Sequence, residues 1–300
     1  MPRWRDLRVE AERSLAAAGI ENAANEARWM VEHVSGFDAA ELVTAEDEPA
    51  PDRPAAHLTE LVARRVAGEP LQYVLGGWLF RGLDLLVDPR VLIPRPETEV
   101  TAQVAIDEAV RLGARRGRSD PWSGAATTYA IADLGTGSGA LALALASELP
   151  DAEVWGTDAS DDALAVARAS LAGTGLPSTR VRLARGSWFD ALPAALRGHL
   201  RLAVSNPPYV AESEFAELPA EVRHELRGAL VSGTTGTEAI EELAREAPLW
   251  LEATGTFVCE IAPHQAEAAS KVSTASGFDE VLVRRDLSGR DRVLVARMLG

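Results

Sequence analysis

Cysteine is almost absent from this chain. Cys259, within the run GTFVCEI, is the only one in 300 residues, which excludes an internal disulfide and a cysteine-rich metal site. A lone thiol in such a run reads as a small buried hydrophobe of a strand rather than a nucleophile. Histidine is sparse as well. His33, His57, His199, His224 and His264 contain no pair at i, i+3 or i+4 and no HExxH, so the spacing points away from metal catalysis and no metal ligand is assigned. No uncharged apolar run reaches the roughly 18 residues of a membrane span. The first residues, MPRWRDLRVEAERSLAAAG, are charged throughout and lack the apolar segment of a secretory signal. The expectation is a cytoplasmic protein without membrane contact. Basic charge is also short, with 30 Lys and Arg against 45 Asp and Glu and a formal net charge of -15. That field opposes non-specific binding to duplex DNA or anionic membranes. What is present is ordinary for a globular protein: 47% hydrophobic and 25% charged residues, enough for a real core in one large domain with a small one appended.

Residues 2–70 carry helical periodicity. Four short helices are expected from WRDLRVEAERSLAAAG, NAANEARWMVEHVSG, DAAELVTA and AAHLTELVARRVAG, the first two stopping at Gly19 and Gly36 and the third starting on an aspartate cap. From Pro70 to about residue 96, short apolar runs punctuated by Gly76-Gly77, Gly82 and Pro89 suggest one or two hairpins. TEVTAQVAIDEAVRLGA returns to helical period, and RRGRSDPWSGAAT, residues 115–127, reads as a polar basic loop. Beyond Tyr129, strand and helix patterns alternate to the end of the chain, which means a mostly parallel sheet with helices on both faces. The last two strand patterns are joined only by LSGR, too short for a crossover, so they pair antiparallel and leave one reversed strand at the end of the sheet. The expected fold class is therefore α/β, with a small helical bundle at residues 1–70, a β-hairpin connector at 71–96 and the sheet domain at 97–300.

Two motifs carry chemistry. ADLGTGSGALALA places Gly135, Gly137 and Gly139 where a strand turns into a helix, where glycine permits a tight turn and close approach of a ligand to the backbone. Asp158 ends the next strand, EVWGTD, where a carboxylate can grip ribose hydroxyls. GTGSGA satisfies GxGxxA formally, so the spacing alone leaves a dinucleotide fold open. The second motif is VSNPPYV, residues 204–210. An isolated Asn-Pro marks a strand-ending turn. At the same sheet edge as a nucleoside site, it can do more. A planar nitrogen is a poor nucleophile because its lone pair is delocalised. The side-chain oxygen of Asn206 and the carbonyl of Pro207 could accept both of its N–H hydrogens, which orients the nitrogen and favours charge building on it. Pro207 and Pro208 stiffen the loop, and Tyr209 offers a ring for a flat group.

DLGTGSG resembles the first motif of class I S-adenosylmethionine-dependent methyltransferases, and NPPY resembles the motif of those that act on planar nitrogen, adenine-N6 and glutamine-N5 enzymes alike. Together with PLQY, the G…F.G run and VLIPRPETE in this order, the chain resembles, over essentially its whole length, the HemK-type glutamine-N5 methyltransferases of peptide chain release factors. The resemblance implies a Rossmann-like class I sheet with an antiparallel final strand, S-adenosylmethionine as cofactor, and the glutamine of the Gly-Gly-Gln loop of class 1 release factors as substrate. It implies that the helical domain recognises that protein; a monomer is expected, and the charge argues against direct nucleic-acid binding. The resemblance places Asp133, Gly135, Thr136, Gly137, Ser138, Gly139, Asp158, Trp188 and Asn206 at the cofactor. It assigns catalysis to Asn206, Pro207 and Tyr209, and substrate contacts to these with Pro208, Arg95 and Glu97. By physics alone, PRPETE reads as a helix start with Pro96 at its first position and acids in its first turn. The chain departs from the family's pattern at Ser187, where an acid is usual, so that adenosine contacts lean on Trp188. It departs also at Leu226, where proline is common, and at IAPHQ. The competing readings are an adenine-N6 methyltransferase of DNA or RNA, which the charge opposes, a glutamine methyltransferase of another protein such as a ribosomal protein, and a non-catalytic nucleoside-binding module, which would not need paired acceptors.

Overall fold

The computed structural model describes residues 1–115 and 128–300. In chain order its elements are helices α1 (Trp4–Ala17), α2 (Ala23–Ser35), α3 (Ala39–Ala45), α4 (Asp52–Val66) and α5 (Leu71–Leu75), strands β1 (Gly77–Phe80) and β2 (Leu83–Leu86), and helix α6 (Pro96–Arg115). Then follow β3 (Tyr129–Leu134), α7 (Ala140–Glu148), β4 (Ala152–Asp158), α8 (Asp161–Gly173), β5 (Val181–Arg185) and β6 (Leu200–Ser205). The short helices α9 (Ala220–Arg223) and α10 (Arg227–Leu230) precede α11 (Glu238–Trp250), β7 (Leu251–Glu260), α12 (Ala266–Ala275), β8 (Glu280–Arg285) and β9 (Asp291–Arg297). The polar loop expected at 115–127 lies, from residue 116 onward, outside the described residues.

Two compact units result. The first comprises Met1–Gly77 with Pro219–His224. Its helices start and stop where local chemistry directs. The Asp38 side chain accepts from the Ala40 and Glu41 N–H groups, and Glu41 reaches back to the Asp38 N–H, a reciprocal cap that opens α3. Gly36, in the left-handed region at φ 75°, closes α2. Leu15, Ala27, Met30, Val31, Leu58 and Leu61 form its buried interior. LQYVL, expected within the hairpin region, is instead a one-turn helix. Pro70 opens it, Gly76 at φ 72° closes it, and the Arg64 guanidinium donates to the carbonyls of Tyr73 and Val74 that the turn leaves open. The alternating L-x-Y-x-L pattern was overridden by those caps and by burial of Leu71 and Val74 on one face.

The second unit comprises Trp78–Leu218 and Glu225–Gly300. It opens with the β1–β2 hairpin, whose two-residue turn Arg81-Gly82 has φ 48° and 77°, the conformation that matches strand twist. Arg81 is held there by a double hydrogen bond to Glu148 at 2.7 and 2.9 Å. The seven-stranded sheet runs β5-β4-β3-β6-β7-β9-β8. β5, β4, β3, β6 and β7 are parallel, and β9 runs antiparallel to both β7 and β8. The final strand is thus the reversed one, as its short connection requires, but it sits one place in from the edge, which β8 occupies. One core layer joins α6 and α7 to one face of the sheet; the other packs α11 and α12, through Ile240, Leu243, Ala247 and Ala269, on the opposite face. α7, ALALALASE, is buried from Ala140 to Ala146, as a helix that is apolar all round must be.

Candidate methyltransferase site

Register builds the site. Leu134 pairs with Thr157 on one side and Ser205 on the other, and Ser205 pairs with Cys259. The next residue of each strand therefore emerges in one row at the carboxyl edge: Asp158, Gly135, Asn206 and Glu260. β3 and β6 are also where the strand order reverses direction, the place where open α/β sheets bind ligands. Ser205 ties this junction by donating from Oγ to the Leu134 carbonyl at 2.6 Å.

A cavity of about 350 Å³ opens at this edge. It is lined by Asp133, Gly135, Thr136, Gly137 and Ser138 of the glycine loop, by Asp158, Ser187 and Trp188 from the ends of β4 and β5, by Asn206 and Pro208 after β6, and by Leu92, Pro94 and Thr98 before and within α6. Gly135 has φ 78°, and a Cβ there would meet the Trp188 ring at 3.0 Å, so the indole lies directly on the loop's backbone. Trp188 itself has φ 41°, uncommon for a non-glycine residue. Asp158 holds the loop from the other side, its two carboxylate oxygens accepting from the N–H groups of Gly137 at 3.0 Å and Ser160 at 2.9 Å.

Asp133 is 1% exposed. Its Oδ2 accepts from Thr136 Oγ1 at 2.6 Å and the Ala142 N–H at 3.0 Å, while Oδ1 is buried without a partner. Burial pushes its pKa up to about 7 against the pull of those two hydrogen bonds. Asn206 Nδ2 donates to Thr98 Oγ1 at 3.2 Å, and its Oδ1 is likewise buried without a partner. The reason is local. An asparagine oxygen at a turn is normally taken by the N–H two residues on, and here that residue is Pro208, preceded by Pro207; neither has an N–H. The double proline keeps the acceptor free. Its loop is clamped further along, where Gln265 Nε2 donates to the carbonyls of Tyr209 and Gly236, both at 2.9 Å.

An unpartnered buried acceptor costs about 1–3 kcal/mol, so two beside one cavity suit a ligand that brings donors. Residues 6–76 match the model of the PrmC N-terminal domain, and residues 122–233 that of the methyltransferase small domain. The chain is 40% identical over 268 residues, 89% of this chain and 92% of the relative, to the release factor glutamine methyltransferase of Bordetella pertussis. The chain belongs to the release factor glutamine methyltransferases. Two further members are 37% identical, from Cereibacter sphaeroides, over 95% of this chain and 94% of the relative, and 36% identical, from Deinococcus radiodurans, over 99% of both. Among solved structures, the hMettl16 catalytic domain in complex with MAT2A 3'UTR hairpin 1 superposes with TM-score 0.55 at 14% identity, covering 83% of this chain and 81% of that one. That likeness concerns the fold.

The methyltransferase brings most of the residues singled out from sequence to one cavity, though not all. Gly139, at φ 87°, caps α7 instead, and Pro207 does not line the cavity. Tyr209 is half-buried against the core layer of α11 and α12, and burial and the nearby Glu260 push its phenol up to about 12. Arg95 pairs with buried Glu225, which also accepts from the Ile93 N–H at 3.1 Å. Glu97 faces Arg290 at 3.4 Å. Ser187 and Leu226, the two single-residue departures from the family's pattern, both line the cavity. Thr98 and Glu260 were missed. Each had a signal: Thr98 stands inside PETE, and Glu260 is an acid directly after the apolar run FVC at the end of β7. Among the described residues no helix is long and apolar enough to cross a membrane.

Proposed function

We infer that this enzyme methylates the side-chain amide nitrogen (N5) of the glutamine in the Gly-Gly-Gln loop of class 1 peptide chain release factors, using S-adenosylmethionine. The observation that carries the reading is the buried, unpartnered Oδ1 of Asn206 in the wall of a cavity that the glycine loop and Asp158 also line. The residues present fit the cofactor. Asp133 has a buried oxygen free to accept from an ammonium group, Asp158 has lone pairs left for ribose hydroxyls, and Trp188 gives a flat apolar wall. When bound, S-adenosylmethionine supplies an electrophilic methyl group on a sulfonium.

The protein's own contribution is placement. Asn206 Oδ1 and the Pro207 carbonyl accept the two hydrogens of the glutamine NH2, which turns the nitrogen lone pair toward the donor and stabilises the positive charge that grows on nitrogen. Prolines 207 and 208 and the Gln265 clamp hold these acceptors in place before substrate arrives, so they need little reorganisation. The proton leaves after the nitrogen has been methylated, and no strong base is needed. Tyr209 supports the loop, and Arg95 and Glu97 contact the release factor around the entrance. The helical unit of residues 1–70 recognises the release factor.

Methyl transfer from labelled S-adenosylmethionine to a purified class 1 release factor tests this, with a Gly-Gly-Ala loop variant and duplex DNA as parallel acceptors. Label on the wild-type factor alone is expected. Label on the Gly-Gly-Ala variant or on DNA overturns the assignment.

A further inference from the structure

The amide of Asn206 has two arms of opposite character, and only the oxygen can accept a substrate N–H. Its contact with Thr98 does not choose between them, because a threonine hydroxyl donates as readily as it accepts. The choice is made one group further back. Glu260 leaves β7 beside Asn206 in the strand row and is fully buried. Its Oε2 accepts from Thr101 Oγ1 at 3.0 Å, and its Oε1 is buried without a partner. Thr98 lies one turn before Thr101 on the same face of α6, so its hydroxyl faces the same carboxyl, and both threonine hydroxyls favour the ionised form. A hydroxyl carries one proton. If Thr98 directs it at Glu260, its oxygen can only accept from Asn206, and the amide must offer N–H to Thr98.

We infer that Thr98 and Glu260 are positioning residues that lock the Asn206 amide, with its NH2 held on Thr98 and its oxygen turned to the reacting glutamine. This rests on Asn206 being the acceptor described above. Thr98 is 3% exposed and reaches the cavity wall from the first turn of α6. The groups facing Glu260 keep the relay responsive. Arg292 of β9 favours the carboxylate and Glu97 of α6 opposes it, while Tyr209 and Cys259 are held neutral by burial. Burial pushes the carboxyl up to about 7 against the pull of the two threonine hydroxyls and Arg292. Protonation turns Glu260 from acceptor to donor, reverses the Thr98 hydroxyl and releases the lock.

The test measures release-factor methylation and cofactor Kd in parallel on full-length variants. Thr98→Val keeps the shape and loses the hydroxyl. Its kcat should fall about ten- to a hundredfold, the equivalent of one charge-linked hydrogen bond, with KM for the release factor and cofactor Kd changed less than about twofold. Thr98→Ser should recover kcat to within about threefold of wild type, since it restores the hydroxyl. Glu260→Gln, which keeps a donor where protonated glutamate would have one, should lose similar activity and lack the acid limb near pH 7 expected of wild-type kcat. In an Asn206→Ala background, Thr98→Val should cost nothing further, because coupled residues are not additive. Wild-type kcat in Thr98→Val, failure of Thr98→Ser to recover, an acid limb unchanged in Glu260→Gln, or additive losses with Asn206→Ala each overturn the positioning role. Full turnover in Asn206→Ala alone overturns the acceptor reading beneath it instead.

Discussion

Buried charge is handled in opposite ways by the two units. In the helical unit, Arg65 is 5% exposed and each of its three nitrogens has a partner. Its Nε donates to Glu26 Oε2 at 2.7 Å, its Nη2 to Glu26 Oε1 at 3.2 Å and to Glu221 Oε1 at 2.6 Å, and its Nη1 to the Glu69 carbonyl at 3.1 Å. At the sheet edge of the other unit, Asp133 and Glu260 are buried as deeply and Asn206 is partly buried, yet one side-chain oxygen of each is buried without a hydrogen-bond partner. Among the described residues, none of the buried side-chain atoms left without a partner belongs to the helical unit. A charge neutralised in place serves the fold; an acceptor left open is costly to the free protein and gains only when a ligand brings the missing donor. Open acceptors in a cavity wall, at Asp133 and Asn206, are what the helical unit lacks.

This contrast can be broken most forcefully at Arg65. Arg65→Ala strands the buried carboxylate of Glu26 and should destabilise the protein by about 3–5 kcal/mol in urea unfolding, leaving cofactor Kd unchanged at temperatures where the variant is folded. Unaltered stability would mean that the ion triad contributes nothing to the fold.

Asp133→Asn should act with the opposite sign. Burial raises the carboxyls of Asp133 and Glu260 to about 7 in the folded state, so between pH 5 and 7 the native protein holds more protons than the unfolded chain. Stability from these groups is complete below their unfolded values near 4 and is lost as pH rises to about 7. At most about 3–4 kcal/mol is at stake for each. Groups whose pKa is lowered, such as Asp286 at about 2 and Glu108, respond at lower pH and do not mask this window. Cofactor-free Asp133→Asn should therefore gain on wild type as pH rises from 5 to 8 while binding S-adenosylmethionine more weakly. A stability difference that is flat across that range would contradict the burial argument.

A smaller effect sharpens the assignment within the site. Asp158→Ala should raise the dissociation constant for the cofactor about tenfold or more, near 1.4 kcal/mol, with kcat at saturating cofactor far less affected than by Asn206→Ala. An unchanged constant, read by calorimetry, would remove the ribose assignment. The smallest change belongs to the exposed surface. Arg185 pairs with Asp161 at 3.1 Å, each about two-thirds exposed. Arg185→Ala should alter the melting temperature by the equivalent of less than about 0.5 kcal/mol; a larger loss would show that pairing matters in this protein even without burial.

Much of the architecture was legible along the chain because its causes are local. Period and length distinguish α7 and α11 from β3 and β7, left-handed glycines mark the loop at 135–139, and prolines 207 and 208 end a strand wherever they stand. The sequence also shows why the Asn206 oxygen is left open: the two residues after it have no N–H to occupy it. LQYVL misled because a five-residue apolar run fits both periods, and only the Pro70 and Gly76 caps with the reach of Arg64 decide it. The placement of β9 inside β8 was hidden because a short connection sets pairing direction but not which strand meets β7. Arg95 and Glu97 could be singled out from PRPETE, but not their ion-pair partners Glu225 and Arg290, which lie 130 and 193 positions away. Thr98 and Asn206 are 108 residues apart, and Glu260 stands beside them only through the parallel register of β3, β6 and β7. The sequence by itself determined which backbone segments are strands, helices and rigid turns, since those depend on neighbours within a few residues. The tertiary structure alone decided which polar atoms meet and which stay open, since hydrogen-bond partners in a parallel sheet come from segments that no local pattern connects.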